Sequence, residues 1–206
     1  MKDSGVEWLG EIPAHWELKK LHHIGQLRSG ETMTAIMMSP DYEFPVYGGN
    51  GLRGYYHNYT HDGDYVLIGR QGALCGNINY ALGKFWASEH AIVVSPSVTI
   101  SRYWLGEVLR HMNLNQHSTS AAQPGISAEY IGRLKLPFPP HEEQIEIADF
   151  LDHQLGKLDL HCRKVQQAID RLKEYRTALI TNAVTGAIDV RNVAIPDDSI
   201  QKHETV

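Results

Sequence analysis

Between Ala148 and Ala183 the residues Ala148, Leu151, Leu155, Leu158, Cys162, Val165, Ile169, Leu172, Arg176, Leu179 and Ala183 follow one another at spacings that alternate three and four. That is the seam of a coiled coil. From Glu142 to Thr185 there is no proline and Gly156 is the only glycine, so the stretch predicts one unbroken helix, about 65 Å long at 1.5 Å per residue. Glu142, Glu143 and Glu146 suit the positive end of its dipole, and Gly186 supplies a C-terminal cap signal. A rod of that length cannot bury its seam against one small domain. It needs another helix.

The chain has 206 residues, room for one ordinary domain plus this arm. The expected organisation is a globular domain over 1–140, a dimerisation or partner-binding helix over 141–186, and a polar, disordered tail over 187–206. Lys2 to Glu17 is too polar for a signal peptide, and no apolar run reaches the length of a membrane span; the reading is a soluble, intracellular, cytoplasmic protein with no membrane partner. Cys75 and Cys162 read as small apolar fillers. The formal net charge is −5, concentrated in the arm and tail: residues 1–140 carry eleven Lys/Arg and twelve Asp/Glu, residues 141–206 eight and twelve. The head is near neutral, without the basic balance usual for nucleic-acid binding.

Trp8 and Trp16 flank Pro13 in a turn-rich lead-in that runs into a strand near Glu17 to Ile24. Short β-like runs follow at Phe44–Tyr47, Gly54–Tyr56, Tyr65–Ile68, Ile78–Tyr80, Phe85–Ala87 and Ala91–Ser95, with turn signals every 8 to 12 residues. Ser101 caps a helical pattern that reaches Asn115. Gln116 to Ser127 reads as a polar loop, Leu134–Leu136 as a last strand, and Pro137-Phe138-Pro139-Pro140 as a stop. The fold class is therefore α+β: a mixed, β-rich globular domain followed by one long helix in an antiparallel coiled coil.

Catalytic patterns are weak. Gly49-Asn50-Gly51-Leu52-Arg53-Gly54 matches a dinucleotide fingerprint, but Tyr55-Tyr56-His57-Asn58-Tyr59 after it reads as strand and turn, not helix. Gly83-Lys84 lacks the rest of a phosphate loop. His57 and His61 have the spacing of two ligands on a helix face in a segment that is not helical, so no metal site is expected. Nothing assembles a nucleophile, base and orienter. The chain reads as a binder.

Five blocks in order carry a resemblance: Trp8-Leu9-Gly10-Glu11-Ile12-Pro13-Ala14-His15-Trp16; Pro45-Val46-Tyr47-Gly48-Gly49-Asn50-Gly51; Val66 through Asn77; Gly83-Lys84-Phe85-Trp86-Ala87-Ser88-Glu89-His90; and Leu136-Pro137-Phe138-Pro139-Pro140-His141-Glu142-Glu143-Gln144 before the long helix. Together they resemble the specificity subunit of type I restriction-modification enzymes. The resemblance implies a target recognition domain that reads a few base pairs of double-stranded DNA and a helix that follows it. It implies no catalysis by this chain and no cofactor on it. A modification subunit that methylates adenine with S-adenosylmethionine, and a restriction subunit that cuts with ATP and magnesium, are the implied partners. Family members usually hold two domain-plus-helix units; here one is visible, so the form expected is half-size.

With that expectation, Arg70, Gln71, Asn77 and Asn50 are candidate base readers, since arginine suits guanine and amides suit adenine, and the neighbouring glycines allow close approach. Tyr47, Tyr55 and Lys84 are candidates for phosphate and sugar. Gln116, Ser118, Thr119, Ser120 and Gln123 form a second candidate loop.

The seam chooses an orientation by charge. A parallel pair sets Arg176 against its own copy. Folding the helix about residue 163 instead brings Arg176 near Asp149 and Asp152 and Lys173 opposite about residue 153, so acidic halves meet basic halves. Each pair is worth about 0 to 1 kcal/mol, but the parallel form loses every one. The expectation is an antiparallel homodimer through Leu151, Leu155, Leu158, Val165, Ile169, Leu172 and Leu179, with Tyr175 and Ile180 widening the apolar face for the modification subunit. Two identical heads would read a bipartite palindrome, with at most about 19 base pairs between them. A coiled-coil protein-interaction adaptor that does not bind DNA is the alternative, supported by the missing positive charge; a small enzyme is a weaker third.

Overall fold

Val66-Leu67-Ile68 and Ala91-Ile92-Val93-Val94 are continuous apolar runs, the texture of strands buried on both faces. In the computed structural model, which describes residues 1–118 and 124–191, they lie in the middle of the fold. Along the chain run β1 (Lys2–Asp3), β2 (Glu11–Ile12), β3 (Glu17–Lys20), α1 (Leu21–Ile24), β4 (Gly25–Ser29), β5 (Phe44–Gly48), β6 (Gly51–Tyr56), β7 (His61–Asp62) and β8 (Tyr65–Gly69). Then come β9 (Ile78–Ala81), β10 (Lys84–Ala87), β11 (Ala91–Pro96), α2 (Arg102–His111), α3 (Ala128–Gly132), β12 (Lys135–Phe138) and α4 (His141–Val184).

Two four-stranded sheets carry the head: an antiparallel one ordered β4-β11-β8-β9, and one ordered β6-β5-β10-β7 in which β10 runs parallel to β5. The alternation of side chains along β8 and β11 divides the core in two. Val66, Ile68, Ile92 and Val94 face Trp104, Leu105, Leu109 and Met112 of α2, with Leu21, Ile24, Ile131 and Leu136. Leu67 and Val93 face the other way and pack with Phe85, Ala87 and Tyr47 of the second sheet. Helix on one face and sheet on the other is what makes both strands apolar throughout.

The expected strand at Glu17–Ile24 breaks into β3 and the turn of helix α1, because Leu21 and Ile24, three apart, are both fully buried. β4 was not expected: Gln26, Arg28 and Ser29 are exposed, and its strand character comes from five residue pairs with β11. Pro137 does not end the last strand; it sits inside β12, which among the described residues pairs with β3 alone, where a missing N–H is tolerated. The helical pattern of Ser101–Asn115 stops at His111, and Asn113 takes a left-handed φ of 48° before a single 3-10 turn at Leu114–His117. Thr119, Ser120 and Gln123, and the tail beyond Arg191, lie outside the described residues.

α4 spans 44 residues. Its opening turns are part of the head: the first compact unit runs through Leu151 and the second begins at Asp152. The sequence put that boundary at 140. Gln144 explains the difference, since it is fully buried, accepts from Ser101 N at 2.9 Å and donates to Pro139 O at 2.9 Å. Glu143 accepts from Trp16 Nε1 at 2.8 Å and pairs with His15 Nε2 at 2.7 Å, which gives the Trp16 of the lead-in a specific task. Within the second unit the large apolar residues of the seam are exposed, from 40% at Ile169 to 67% at Leu172, and Gly186 at φ +75° closes the helix.

Candidate nucleic-acid interface

The run Gly48-Gly49-Asn50-Gly51 makes the turn of the β5–β6 hairpin, where a cofactor fingerprint would need a helix to start. Its backbone lies hard against the end of β8. A Cβ on Gly69 would stand 2.3 Å from Gly49 O and 2.8 Å from Leu74 O, so only glycine at 69 lets the two sheets meet here. Beyond Gly69 the chain folds into a tight turn in which Gly69 N donates to Asn77 O at 2.8 Å and Gly76 N returns to Gly69 O at 2.7 Å. Gly76, at φ +82°, has Asn115 N 2.5 Å from where its Cβ would be.

These two turns form the walls of an open groove of about 490 Å³ lined by Gly49, Asn50, Gly51, Leu52, Arg53, Gln71, Gly72, Ala73, Leu74 and His90. Two of the sequence-derived base readers, Asn50 and Gln71, line it, and a third, Asn77, bonds to one of them from outside the lining. Asn77 Nδ2 donates to Asn50 Oδ1 at 2.8 Å, joining the two turns, and Gln71 Oε1 lies 3.1 Å from His90 Nδ1. Arg70 stands one residue behind, with its Nη1 3.5 Å from Glu89 O. The far side of the Gln71 turn is tied by Gly72 N to Pro124 O at 2.9 Å and Ile126 N to Arg70 O at 2.9 Å, so the second polar loop re-enters the fold beside the first.

The other candidates lie elsewhere. Tyr47 is half-buried with its ring edge-on to Phe85, 5.7 Å between centroids, a core position. Because β10 is parallel to β5, Lys84 lies at the start of β5, the end away from the hairpin turn, with its ammonium 4.9 Å over the Tyr59 ring. Tyr55 is exposed on the outer strand β6. Gln116 turns back to donate to Met112 O at 2.8 Å and lines a different cleft with Trp8 and Lys135. Ser118 hydrogen-bonds the Cys75 thiol, which burial nevertheless pushes up in pKa, so Cys75 has none of the thiolate character of a nucleophile.

His57 packs against the Tyr42 and Tyr56 rings, and His61 stacks on Phe85 at 5.2 Å. Burial lowers the His61 pKa against a smaller raising effect of Glu31. Among the described residues no group of three or more His, Cys, Asp or Glu is arranged to hold a metal ion, and no helix is long and apolar enough to cross a membrane.

Arg53, His90, Leu52 and Leu74 complete the groove and were not singled out from sequence. Arg53 and Leu52 were in view within the glycine run, and their exposure is the consequence of its being a hairpin tip. Leu52 is 53% and Leu74 50% exposed, which leaves apolar surface beside amides and a guanidinium. That mixture suits base edges: hydrogen-bonding groups for purine N and O atoms and apolar contact for a thymine methyl. The acidic residue behind it, Glu89, is occupied by Met33 N and His90.

Residues 13–171 match the family model described as the type I restriction modification DNA specificity domain. The EcoprrI type I restriction enzyme specificity subunit of Escherichia coli is 44% identical over 138 residues, 65% of this chain and 34% of that protein. Among solved structures, a chain from a study of complex assembly in the type I restriction-modification system superposes with a TM-score of 0.71 at 19% identity, covering 85% of this chain and 47% of that one. The HsdS subunit from Thermoanaerobacter tengcongensis gives 0.63 at 18% identity, covering 87% and 47%. The chain thus spans about a third of the curated relative and under half of each solved neighbour, and the structural likenesses, all below one residue in five identical, are likenesses of fold. The family model covers most of the chain in one stretch, across both sheets and well into α4: the protein belongs to the family of type I restriction-modification DNA specificity proteins.

Proposed function

We propose that the chain is the non-catalytic DNA-recognition subunit of a type I restriction-modification complex. The observation that carries this reading is the groove, where Asn50 and Arg53 of one hairpin meet Gln71 of another turn beside exposed Leu52 and Leu74, with Asn77 bonded to Asn50. Arg70 beside it, and Tyr55 and Lys84 on the second sheet, are candidates for phosphate. The near-neutral head fits an assembly in which partner subunits contribute much of the phosphate contact, since sequence-independent affinity comes from Lys and Arg.

The arm gives the second half of the proposal. Exposed seam side chains from Leu155 to Leu179, with Asp149 and Asp152 at one end and Lys173 and Arg176 at the other, support an antiparallel homodimer whose two heads read a bipartite palindrome. Tyr175 and Ile180, 66% and 49% exposed, extend the apolar face toward the modification subunit, which would bring S-adenosylmethionine. The restriction subunit would bring ATP and magnesium. Selection from random-sequence duplex by the full chain assembled with the modification subunit of its own system tests the reading. A two-part symmetric consensus is expected; recovery of no consensus overturns DNA reading, and an asymmetric one overturns the homodimer. Light scattering on the isolated protein adds a direct measure, and a chain that stays monomeric at high concentration sinks the homodimer.

A further inference from the structure

The turn between β10 and β11, Ser88-Glu89-His90, is closed by Ala91 N donating to Ser88 O at 2.9 Å, and Glu89 N donates to Glu31 O at 3.1 Å. On this fixed backbone a chain of polar contacts runs outward. Glu89 Oε2 accepts from Met33 N at 3.0 Å, and Glu89 Oε1 lies 3.2 Å from His90 Nε2. His90 Nδ1 lies 3.1 Å from Gln71 Oε1. The backbone locks the same pair together, because Arg70 N donates to His90 O at 2.8 Å. Gln71 is exposed and lines the groove.

A carboxylate only accepts, so Glu89, 3.2 Å from His90 Nε2, favours the ring forms in which that nitrogen carries hydrogen. What Nδ1 offers depends on where the ring carries hydrogen. With hydrogen on Nδ1 the ring donates to the carboxamide oxygen, the atom that lies against it in the structure. With a lone pair there it meets the carboxamide nitrogen, with the amide turned over. In both states Gln71 keeps one free oxygen lone pair beside one free N–H on the edge that faces the groove. Their order along the groove is reversed between the two. That edge complements the adjacent donor and acceptor of adenine, N6–H and N7. An exposed glutamine normally samples many rotamers; this one is braced.

We propose that Gln71 reads a base edge and that His90, braced by Glu89, is the positioning residue that decides which way round Gln71 presents its donor and acceptor. The inference rests on the DNA-reading function proposed above and deepens it, assigning one base position to one side chain. Asn50 and Asn77 differ in kind, since each spends part of its amide on the other. The charged groups around the imidazole are Glu89, Arg70 and Glu31 on the adjoining backbone and Arg53 on the groove wall. Of these four, Glu89 is the one in ion-pair contact with the ring, at 3.2 Å.

The test compares base preferences selected from a randomised duplex library by the full chain with its own modification subunit, for wild type, Gln71→Ala, His90→Ala and His90→Asn. Gln71→Ala removes discrimination at one position per head, by about ten-fold or more, and leaves the others. His90→Ala loosens the same position. His90→Asn, whose carboxamide keeps both a donor and an acceptor where Nδ1 sits, restores a preference there. Unchanged discrimination in Gln71→Ala overturns the assignment of Gln71, and a His90→Ala variant that weakens every position equally overturns the positioning role. If wild type itself selects nothing, the DNA-reading function fails; if wild type selects a consensus and the variants match it, only this inference fails.

Discussion

Gln144 decides whether the opening turns of the long helix belong to the head. Its carboxamide serves a part-buried donor, Ser101 N, and a buried acceptor, Pro139 O, each at 2.9 Å. Gln144→Met keeps the length and helix propensity and removes both bonds. An unsatisfied buried group costs about 1 to 3 kcal/mol; taking about 2 for the Pro139 carbonyl and about 1 for the partly solvated Ser101 N–H, less about 1 recovered through apolar burial, the head loses about 2 kcal/mol. For a domain of this size that lowers the melting temperature by about 4 to 8 °C. Gln144→Glu sharpens the test. Protonated, its carboxyl reproduces the carboxamide, donating to Pro139 O and accepting from Ser101 N; ionised, it sets a charge against the Pro139 carbonyl in a site with no solvent exposure. Its folded pKa therefore lies above the unfolded value of about 4.3, so its stability is complete below that value and is lost as pH rises toward the folded pKa, at about 1.4 kcal/mol per unit. Thermal melts followed by circular dichroism should show Gln144→Glu close to wild type at pH 4 and falling progressively behind it toward pH 7. A Gln144→Met melt within 1 °C of wild type, or a Gln144→Glu deficit that does not change with pH, would refute the assignment of Gln144 as the clamp.

Three further outcomes follow from the same geometry. The hydrogen bond from Trp16 Nε1, and to a lesser extent that from His15, holds the Glu143 carboxyl below the usual carboxylate range, so its contribution is present above the unfolded Glu pKa and lost as pH falls through the lower, folded one; the Trp16 indole N–H resonance should titrate below the ordinary Glu range, and Trp16→Phe, followed at the Glu143 carboxyl carbon, should move that titration upward. Gly69→Ala drives a methyl against Gly49 O and Leu74 O and should cost about 1 to 3 kcal/mol, with amide shifts concentrated at Gly49, Asn50 and Leu74; a melt and spectrum like wild type would mean the sheets do not meet as closely as described. Arg176→Glu should weaken self-association measured by sedimentation, and adding Asp149→Lys and Asp152→Lys should restore it by about 0 to 1 kcal/mol per pair, a rescue that a parallel dimer cannot give.

Much of the head was legible because its strongest signals are local. Asn50, Gln71 and Asn77 stand out as amides among glycines, and what those glycines report is close backbone approach: Gly69 against Gly49 and Gly76 against Asn115 bring the two turns together, with Asn50 and Gln71 lining one groove and Asn77 bonded to Asn50. Tyr47 and Lys84 came from the same segments with equal claims, and nothing local separates them from Asn50. Their positions depend on the parallel pairing of β10 with β5, which turns the Tyr47 ring into the core and sets Lys84 at the far end of the sheet. That pairing is a long-range choice with no spacing of its own. His90 was missed for the converse reason: it sits in an ordinary turn, and only the fold brings it to Gln71. The helix boundary shows the same division of information. Heptad spacing marks where α4 can be helical, which is an i to i+4 property, whereas burial of Gln144 is decided with Ser101 and Pro139, one of them 43 residues away. A groove built from turns of glycine is thus readable where the glycines are, and its chemistry becomes readable only after the sheets have chosen their partners.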